Sequence, residues 1–279
     1  MFNATSKLLV AASIAAALLT SCGEKDKDAA SDLLAQAQSQ FDNQAYSEAL
    51  ATLDSIDAKY PAQVDVRREA MHLRPKVIEG ETLVQLASTD SIIAVLSISG
   101  DSLRNTLTFV PDSFEGYYTS SRIAKKTPAN ENGLYARMSA DGVFSVVSSA
   151  KSGTGSTSVM LSSNGAEART PEIAPDGERN DRSRGVEIIT FMPVEADTLG
   201  HFALIHRSEP LTLSYPGGKG SLTLSTDQAE ALAEVYTASR IVGGLHLAQL
   251  RKNMLQQKLD IARSQLARTY REHPADSVK

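Results

Sequence analysis

The sequence from Thr226 to Glu272 reads TDQAEALAEVYTASRIVGGLHLAQLRKNMLQQKLDIARSQLARTYRE. Its apolar residues recur every three or four positions, which is the spacing of one face of an α-helix. The stretch contains no proline, and Asp227 can cap its first turn. We predict a single long helix over residues 226–273, followed by a disordered tail at residues 274–279. A helix of this length is typical of one that pairs with a second long helix.

Two features of this predicted helix concern its contacts. Gly243 and Gly244 interrupt the apolar stripe, which predicts a bend or a close approach of a neighbouring element. From Arg240 to Arg271 the stretch carries seven basic residues and one acid, whereas residues 24–69 carry ten acids and five bases. Two interpretations are open: ion pairs within the chain, or binding to anionic headgroups or an acidic partner.

A candidate partner for the C-terminal helix lies in the first half of the chain. From about residue 64 to residue 105 the apolar residues again follow helical spacing, so we predict a long helix that packs on the C-terminal one. Pro75 lacks a backbone donor and is expected to kink or break this helix. Two shorter helices are therefore the alternative.

Residues 106–225 show a different pattern, because the hydrophobic period changes to two at about Thr106. Short alternating segments are separated by Asp-Gly, Asn-Gly and Pro-Gly-Gly turns, whose residues tolerate positive φ. This pattern predicts an antiparallel β-sandwich or open barrel, and the whole chain is predicted to be α+β. Residues 170–184 are too polar for a strand and are predicted to form a loop. The predicted strands are 107–109, 117–122, 134–138, 143–149, 158–161, 186–192, 201–206, 211–214 and 221–224.

The helical region at residues 31–105 begins with a predicted hairpin, because two apolar series with helical spacing flank a turn at Asn43-Gln44. The spacing resembles a single tetratricopeptide repeat, except that Gln44 occupies the turn position where the repeat usually has glycine. A repeat array needs about three units or more to bury a continuous core, so we interpret one hairpin as a packing element. The residues that carry the resemblance are Ala37, Tyr46, Ala49, Leu53, Ile56 and Pro61.

The first 21 residues are typical of a bacterial signal peptide, with Lys7 ahead of an apolar stretch too short to span a bilayer. The stretch ends in Leu19-Thr20-Ser21-Cys22, which resembles the lipobox of bacterial lipoproteins. The resemblance implies cleavage before Cys22, with lipid on the Cys22 thiol and on the new amino terminus. Two or three acyl chains give stable membrane anchoring. The alternative is an ordinary cleaved signal followed by a chance cysteine.

Residues 22–30 are predicted to be the lipidated cysteine and a polar tether, because they lack an apolar side chain large enough to pack. The acidic tract after Cys22 partly resembles the surface-export signal of Bacteroidetes lipoproteins, although lysines interrupt it. Gly23 is not the aspartate that marks inner-membrane retention in enteric bacteria. These resemblances imply an outer-membrane lipoprotein on the periplasmic or the cell-surface face. The layout of the whole chain also resembles uncharacterised Bacteroidetes lipoproteins, which implies no known activity and no functional residue except Cys22.

The charge and cysteine content of the chain limit the partners and the covalent links that it can have. The 28 basic residues less Lys7 leave 27 against 33 acids after cleavage, a net charge of −6, which argues against a general affinity for nucleic acid. Cys22 is the single cysteine of the chain. No internal disulfide can form, so the fold must rest on packing.

The sequence contains little that supports catalysis. His201 and His206 are five residues apart on a predicted strand and would face opposite sides, and His246 is isolated on a predicted helix. No serine lies in a Gly-x-Ser-x-Gly turn. The glycine-rich segments 153–156 and 217–220 lack a phosphate-loop pattern and are predicted to be turns. We therefore predict no catalytic residue, no metal ligand and no cofactor.

The leading functional hypothesis is a membrane-anchored, non-catalytic interaction or scaffold protein whose helical surfaces contact another envelope protein. The first alternative is a lipoprotein that binds carbohydrate or another ligand through its β-rich region, with sugar rings stacked on exposed tyrosines. A hydrolase with an unrecognised site is the second alternative. The tyrosine candidates are Tyr117, Tyr118, Tyr135 and Tyr215.

Overall fold

The computed structural model describes residues 5–111, 115–128, 130–151, 153–175, 178–183 and 185–272, with side chains from residue 24 to residue 268 of these ranges. Five helices and ten strands lie in this part of the chain, which confirms the α+β fold. The predicted tail at residues 274–279 lies outside the described residues. The helices are α1 (Thr5–Asp42), α2 (Tyr46–Lys59), α3 (Val64–Thr106), α4 (Pro193–Ile205) and α5 (Thr226–Glu272). The strands are β1 (Leu107–Val110), β2 (Tyr117–Ser120), β3 (Gly133–Met138), β4 (Phe144–Lys151), β5 (Met160–Ser163), β6 (Ala166–Arg169), β7 (Asn180–Ser183), β8 (Val186–Phe191), β9 (Thr212–Ser214) and β10 (Ser221–Thr223).

The chain divides into two compact units, and both long helices contribute to each. Unit 1 comprises Met1–Asp90 and Arg251–Lys279, and unit 2 comprises Ser91–Leu250. Unit 1 therefore contains α1, α2, the first part of α3 and the last part of α5. Unit 2 contains both sheets, α4 and the remaining parts of the two long helices.

The apolar cluster of unit 1 joins the predicted hairpin to α3. Ala37 of α1 and Leu53 of α2 are fully buried, and Val77 of α3 completes the contact between the three helices. The turn between α1 and α2 contains Gln44 with φ of 59°. Glycine adopts this left-handed conformation at lower cost than other residues, so the turn stores some backbone strain.

The prediction that residues 22–30 form an extended tether is wrong, because helix α1 continues through them. Glu24 and Asp28 are exposed, as expected of polar residues, but Ala30 is fully buried in the unit 1 cluster. Glutamate, lysine and alanine all favour helices, and a short polar segment that leads directly into a packed helix is readily drawn into it.

Helix α3 runs from Val64 to Thr106 as one element, so the alternative of two shorter helices is wrong. Pro75 lies inside it, and removes one backbone hydrogen bond from the helix. Leu73 and Val77, on either side of the proline, are both buried in the unit 1 cluster. Tertiary packing of this face therefore stabilises the helix where its own hydrogen bonding is interrupted.

Within unit 1, α5 lies alongside α3, as predicted for the two long helices. The α5 side chains Leu255, Leu259 and Ala262 are buried. Three basic residues of α5 form ion pairs with carboxylates of α3, which supports the interpretation of charge pairing within the chain. Their partners lie on α3 itself, outside the acidic segment 24–69. The pairs are Lys252 with Asp90 at 2.8 Å, Lys258 with Glu81 at 2.9 Å and Arg263 with Glu79 at 2.8 Å.

Unit 2 contains two antiparallel sheets whose core residues form one apolar cluster with α4 and α5. The six-stranded sheet has the order β1-β2-β3-β4-β8-β7, and the four-stranded sheet has the order β10-β9-β5-β6. The register pairs Ala136 with Val146 and Ser148 with Ile189, which directs alternate side chains into the cluster. Most of the predicted strands are confirmed with small shifts of their ends.

Two predictions for the β-rich region are wrong. Residues 201–206 belong mainly to helix α4 and not to a strand, because Pro193 starts the helix and the Glu195 carboxylate accepts the Met192 N–H at 2.9 Å. The predicted loop 170–184 contains β7, a polar strand whose pairing with β8 at the sheet edge supplies backbone hydrogen bonds that the polar side chains do not interrupt.

The β3–β4 turn of unit 2 makes a backbone-to-backbone contact with α5. Gly142, with φ of +88°, lies so close to Gly243 that an added Cβ would be 2.1 Å from the Gly243 nitrogen. A Cβ on Gly243 would in turn lie 3.3 Å from the Gly142 carbonyl oxygen. This contact confirms the prediction that the Gly243-Gly244 pair permits a close approach. A side chain at Gly142 cannot be accommodated without moving α5.

We expect Gly142→Ala to lower the free energy of unfolding by about 2 kcal/mol more than the matched change Gly165→Ala, since overpacking costs roughly 1–3 kcal/mol. Gly165 has a similar φ of +84° but nothing within 4 Å of an added Cβ, so it reports backbone strain alone. Chemical denaturation of both variants measures the difference. Equal losses in the two variants would show that the contact with α5 is not restrictive.

Candidate functional site

The predicted lipobox lies within α1, which includes the backbone of Leu19, Thr20, Ser21 and Cys22. Their side chains lie outside the described part of the chain. The described α1 side chains that enter the unit 1 cluster begin at Ala30. Cleavage before Cys22 would therefore leave these packing residues of α1 in the mature chain.

The two histidines predicted to face opposite sides of a strand instead make separate contacts on and after α4. The His206 Nδ1 lies 2.7 Å from a Glu209 oxygen, and this carboxylate also accepts the Ser163 hydroxyl at 2.7 Å. These two hydrogen bonds, first from Ser163 and then from His206, hold the pKa of Glu209 below its usual value. The His201 ring lies edge-on to Tyr236, with ring centroids 6.5 Å apart. Both histidines are accounted for by packing and hydrogen bonding.

His246 is not isolated, which corrects the prediction. It lines a cavity of about 310 Å³ in unit 2 together with Asp101, Arg104 and Asp141. The Ser139 hydroxyl donates to Asp141 and holds the pKa of this carboxyl below its usual value, with a smaller contribution from the charge of His246. Sequence reasoning missed this cavity because its residues come from α3, α5 and the β3–β4 turn.

No metal centre emerges from these side chains. Across the residues whose side chains are described, no group of three or more His, Cys, Asp or Glu could hold a metal ion. The cavity beside His246 combines one guanidinium with two carboxylates, a set suited to polar contacts with a small molecule that carries both charges.

The two glycine-rich segments both lie in connections that precede or follow strands, and the fold brings them together. The Lys219 N–H donates to the Thr154 carbonyl at 3.0 Å. Gly218 is required at this contact, since an added Cβ would lie 2.6 Å from the same carbonyl oxygen. The segments therefore hold each other in place.

Glu187 of β8 lies beneath the first glycine-rich segment, with its side chain only 2% exposed. Its carboxylate accepts hydrogen bonds from the Thr154 hydroxyl at 2.5 Å and the Gly155 N–H at 3.0 Å, and it pairs with Arg182 at 3.3 Å. Because this buried carboxylate is satisfied by its three partners, its role is to stabilise the loop at residues 153–156. The only sequence signal for it is a lone acid in the apolar strand VEIITF.

Two of the four candidate sugar-stacking tyrosines are unavailable, because Tyr135 and Tyr215 are buried. Burial, with a smaller contribution from the charge of Glu131 on Tyr135 and of Glu187 on Tyr215, raises the pKa of each phenol to about 12. Tyr117 and Tyr118 are partly exposed; Arg137 lies over the Tyr117 ring at 4.3 Å, and Phe109 packs on Tyr118 at 5.2 Å.

The raised pKa values of Tyr135 and Tyr215 predict a loss of stability in alkali. Unfolded tyrosine ionises near pH 10, so between about pH 10 and the folded pKa of about 12 the unfolded chain binds fewer protons. Both phenols therefore favour folding fully below pH 10, and this contribution is lost as pH rises towards 12. Chemical denaturation across this range should show a shallower decline for the Tyr135→Phe/Tyr215→Phe double variant than for the wild type. Parallel declines would contradict the assignment.

An apolar groove of about 300 Å³ lies between α5, the β3–β4 turn and the start of α4 in unit 2. Val143, Phe144 and Pro193 line it together with Leu247 of α5, which is 66% exposed. Gly142 and Gly243, which meet in the close contact between the β3–β4 turn and α5, also line the groove. Sequence reasoning missed the groove as a whole.

The polar residues of the groove neutralise one another. The Arg240 guanidinium lies 3.8 Å from an Asp197 carboxylate oxygen, and this carboxylate also accepts the Tyr236 hydroxyl at 3.1 Å. Met192 and Val194, which flank Pro193 in the chain, are exposed. The groove therefore presents apolar side chains and no net charge, which suits an apolar, uncharged partner segment.

No protein-family model matches this chain, and comparison with curated proteins and with solved structures finds no match.

Proposed function

We propose that the chain is an outer-membrane lipoprotein, anchored through lipid on Cys22, that acts as a non-catalytic interaction module in the cell envelope. Its partner is another envelope protein, which inserts apolar side chains into the groove along α5. The observation that carries this proposal is the groove itself, where exposed Leu247 and Val143 rim an apolar cleft without net charge.

The groove is formed by rigid elements, which favours specific binding. Phe144 packs edge-on against Tyr236 of α5, with ring centroids 5.3 Å apart. Gly200 of α4 also lies against Tyr236, where an added Cβ would be 2.3 Å from the ring. The walls from β4, α4 and α5 are thus packed on one another. A preformed groove loses little conformational entropy when a partner binds.

The lipid anchor is supported by the resemblance of Leu19-Thr20-Ser21-Cys22 to a lipobox. Confinement to a membrane raises the effective concentration of the module near envelope partners, so even a small groove can give useful occupancy.

A photoreactive amino acid in place of Val143 should give a discrete adduct with one envelope protein in intact cells. Adding Leu247→Asp should reduce that adduct about tenfold or more, because burying an apolar leucine contributes roughly 1.5–3 kcal/mol. Leu247 is exposed, so its replacement should leave thermal stability nearly unchanged. Mass spectrometry of the adduct identifies the partner.

The matched control is Asn253→Asp, which adds the same charge to another exposed position of α5. This variant should keep the adduct at wild-type yield. The proposal fails if position 143 gives no adduct, or if the two aspartate variants reduce the yield equally.

A second candidate function, binding of a small polar ligand, is favoured by the cavity that Asp101, Arg104 and His246 line. A ligand bearing both a carboxylate and an amine would match its charges. Screening such molecules for an increase in melting temperature that Arg104→Gln abolishes distinguishes this function from the groove interaction.

A further inference from the structure

The part of α3 in unit 2 carries an apolar face with no described partner. Residues 91–99 read SIIAVLSIS and contain no charge. One side of this segment packs on α5, where an added Cβ on Gly244 would lie 3.5 Å from Leu96. On the other side Ile92, Val95 and Ile98 are 46%, 65% and 76% exposed. We call these three side chains the α3 face.

Helix α3 is unusually apolar for a helix with so many exposed side chains. The helix is long and apolar enough by composition to cross a membrane, with a mean hydropathy of 1.4 over its most apolar 18-residue window, of which 11% is buried. The α3 face lies within this apolar part of the helix. A soluble surface would normally place polar or charged side chains at such positions, so a partner is expected to cover them.

The α3 face is symmetric about its centre. Ile92 and Ile98 lie three residues on either side of Val95, and Ser91 and Ser99 lie four residues on either side. Steps of three residues along an α-helix keep side chains on one side of it. When two such helices cross antiparallel at Val95, each Ile92 therefore meets the Ile98 of the other helix, and the small serines flank the contact.

We infer that the α3 face binds a second copy of this chain, antiparallel, with the two-fold axis at Val95. A two-fold contact requires a surface that is complementary to itself, and this symmetric, uncharged face meets that condition. The inference extends the proposed interaction role to a self-partner, and it depends neither on the groove along α5 nor on lipid at Cys22.

Charges near the α3 face favour a second copy over a lipid surface. Helices that lie on membranes place lysine or arginine beside the apolar face, where they meet anionic headgroups. The side chains beside this face are the uncharged Ser91 and Ser99, and the nearest charged residues on α3 are the acids Asp90 and Asp101, each of which pairs with a basic side chain. The same uncharged face on a second copy of the chain places no like charges opposite one another, whereas anionic headgroups would lie close to these acids.

One helix crossing buries less area than the roughly 1,200–2,000 Å² of a standard stable interface. The association is therefore weak in dilute solution, and covalent trapping is the appropriate measurement. The full chain is produced with Cys22→Ala, so that each introduced cysteine is the single thiol, and the cells that produce it are treated with a mild oxidant before lysis.

Val95→Cys chains should form disulfide-linked dimers by themselves. Ile92→Cys and Ile98→Cys chains should crosslink to each other when produced together, with at least about fivefold less crosslinking when either is produced alone. Six residues of helix separate like positions by about 9 Å along the axis, which exceeds the reach of a disulfide. Ile205→Cys, at an exposed position of α4, is the matched control and should not crosslink.

Three results would overturn the inference. Crosslinking of each variant with itself, and no gain in the mixture, would indicate a parallel pairing. Yields no higher than that of Ile205→Cys would show that no second copy covers the face. A blue shift of an environment-sensitive dye on Val95→Cys on addition of phosphatidylglycerol vesicles, without crosslinking, would assign the face to lipid. Because Cys22 is absent from every variant, failure here leaves the anchor proposal standing, and an unlipidated Cys22 in the wild type leaves this inference standing.

Discussion

The approach of the β3–β4 turn to the backbone of α5 is the constraint on which unit 2 depends. Gly142 and Gly243 meet without side chains between them, and Gly200 of α4 similarly admits the ring of Tyr236. These contacts fix α5 against the six-stranded sheet and against α4 at distances that ordinary side chains would prevent. The apolar cluster shared by both sheets then closes around the buried face of α5. The groove beside Leu247 is a consequence of this packing, because its walls are the elements that the glycines bring together.

Buried polar groups serve a second structural purpose in the same unit. Glu187 uses its carboxylate to hold the glycine-rich loop at residues 153–156, which in turn holds the loop at residues 217–220. An isolated buried carboxylate would be costly, but one with three partners specifies a single loop conformation. These polar residues are therefore engaged in the fold, whereas the α5 groove and the α3 face leave apolar side chains exposed.

The sequence predicted the long elements well because their hydrophobic periods are sustained. Helix α5 and the change from helix to strand near Thr106 lie within a residue or two of their predicted limits. The strand predicted at residues 201–206 is part of helix α4, since the short apolar run 202–205 is compatible with either element and Pro193 and Glu195 start a helix. Strand β7 is polar, so pairing at the sheet edge decides its structure and side-chain pattern does not.

The candidate sites were harder to predict than the fold, for a physical reason. Val143, Pro193 and Leu247 are distant in the chain and form a groove only after α4 and α5 have packed on the sheet. The cavity that contains His246 likewise combines three elements. The glycine pair at residues 243–244 was the one local signal, because a backbone that must approach another backbone requires glycine wherever the contact occurs.

The central claim is that this groove is presented from a membrane by lipid on Cys22. The most direct test is mass spectrometry of the amino-terminal peptide of the wild-type chain, purified from the membranes of the cells that make it. The account predicts a peptide that begins at Cys22, with diacylglycerol on the thiol and a further acyl chain on the new amino group. A peptide that retains residues before Cys22, or one that begins there with a free thiol, would contradict it.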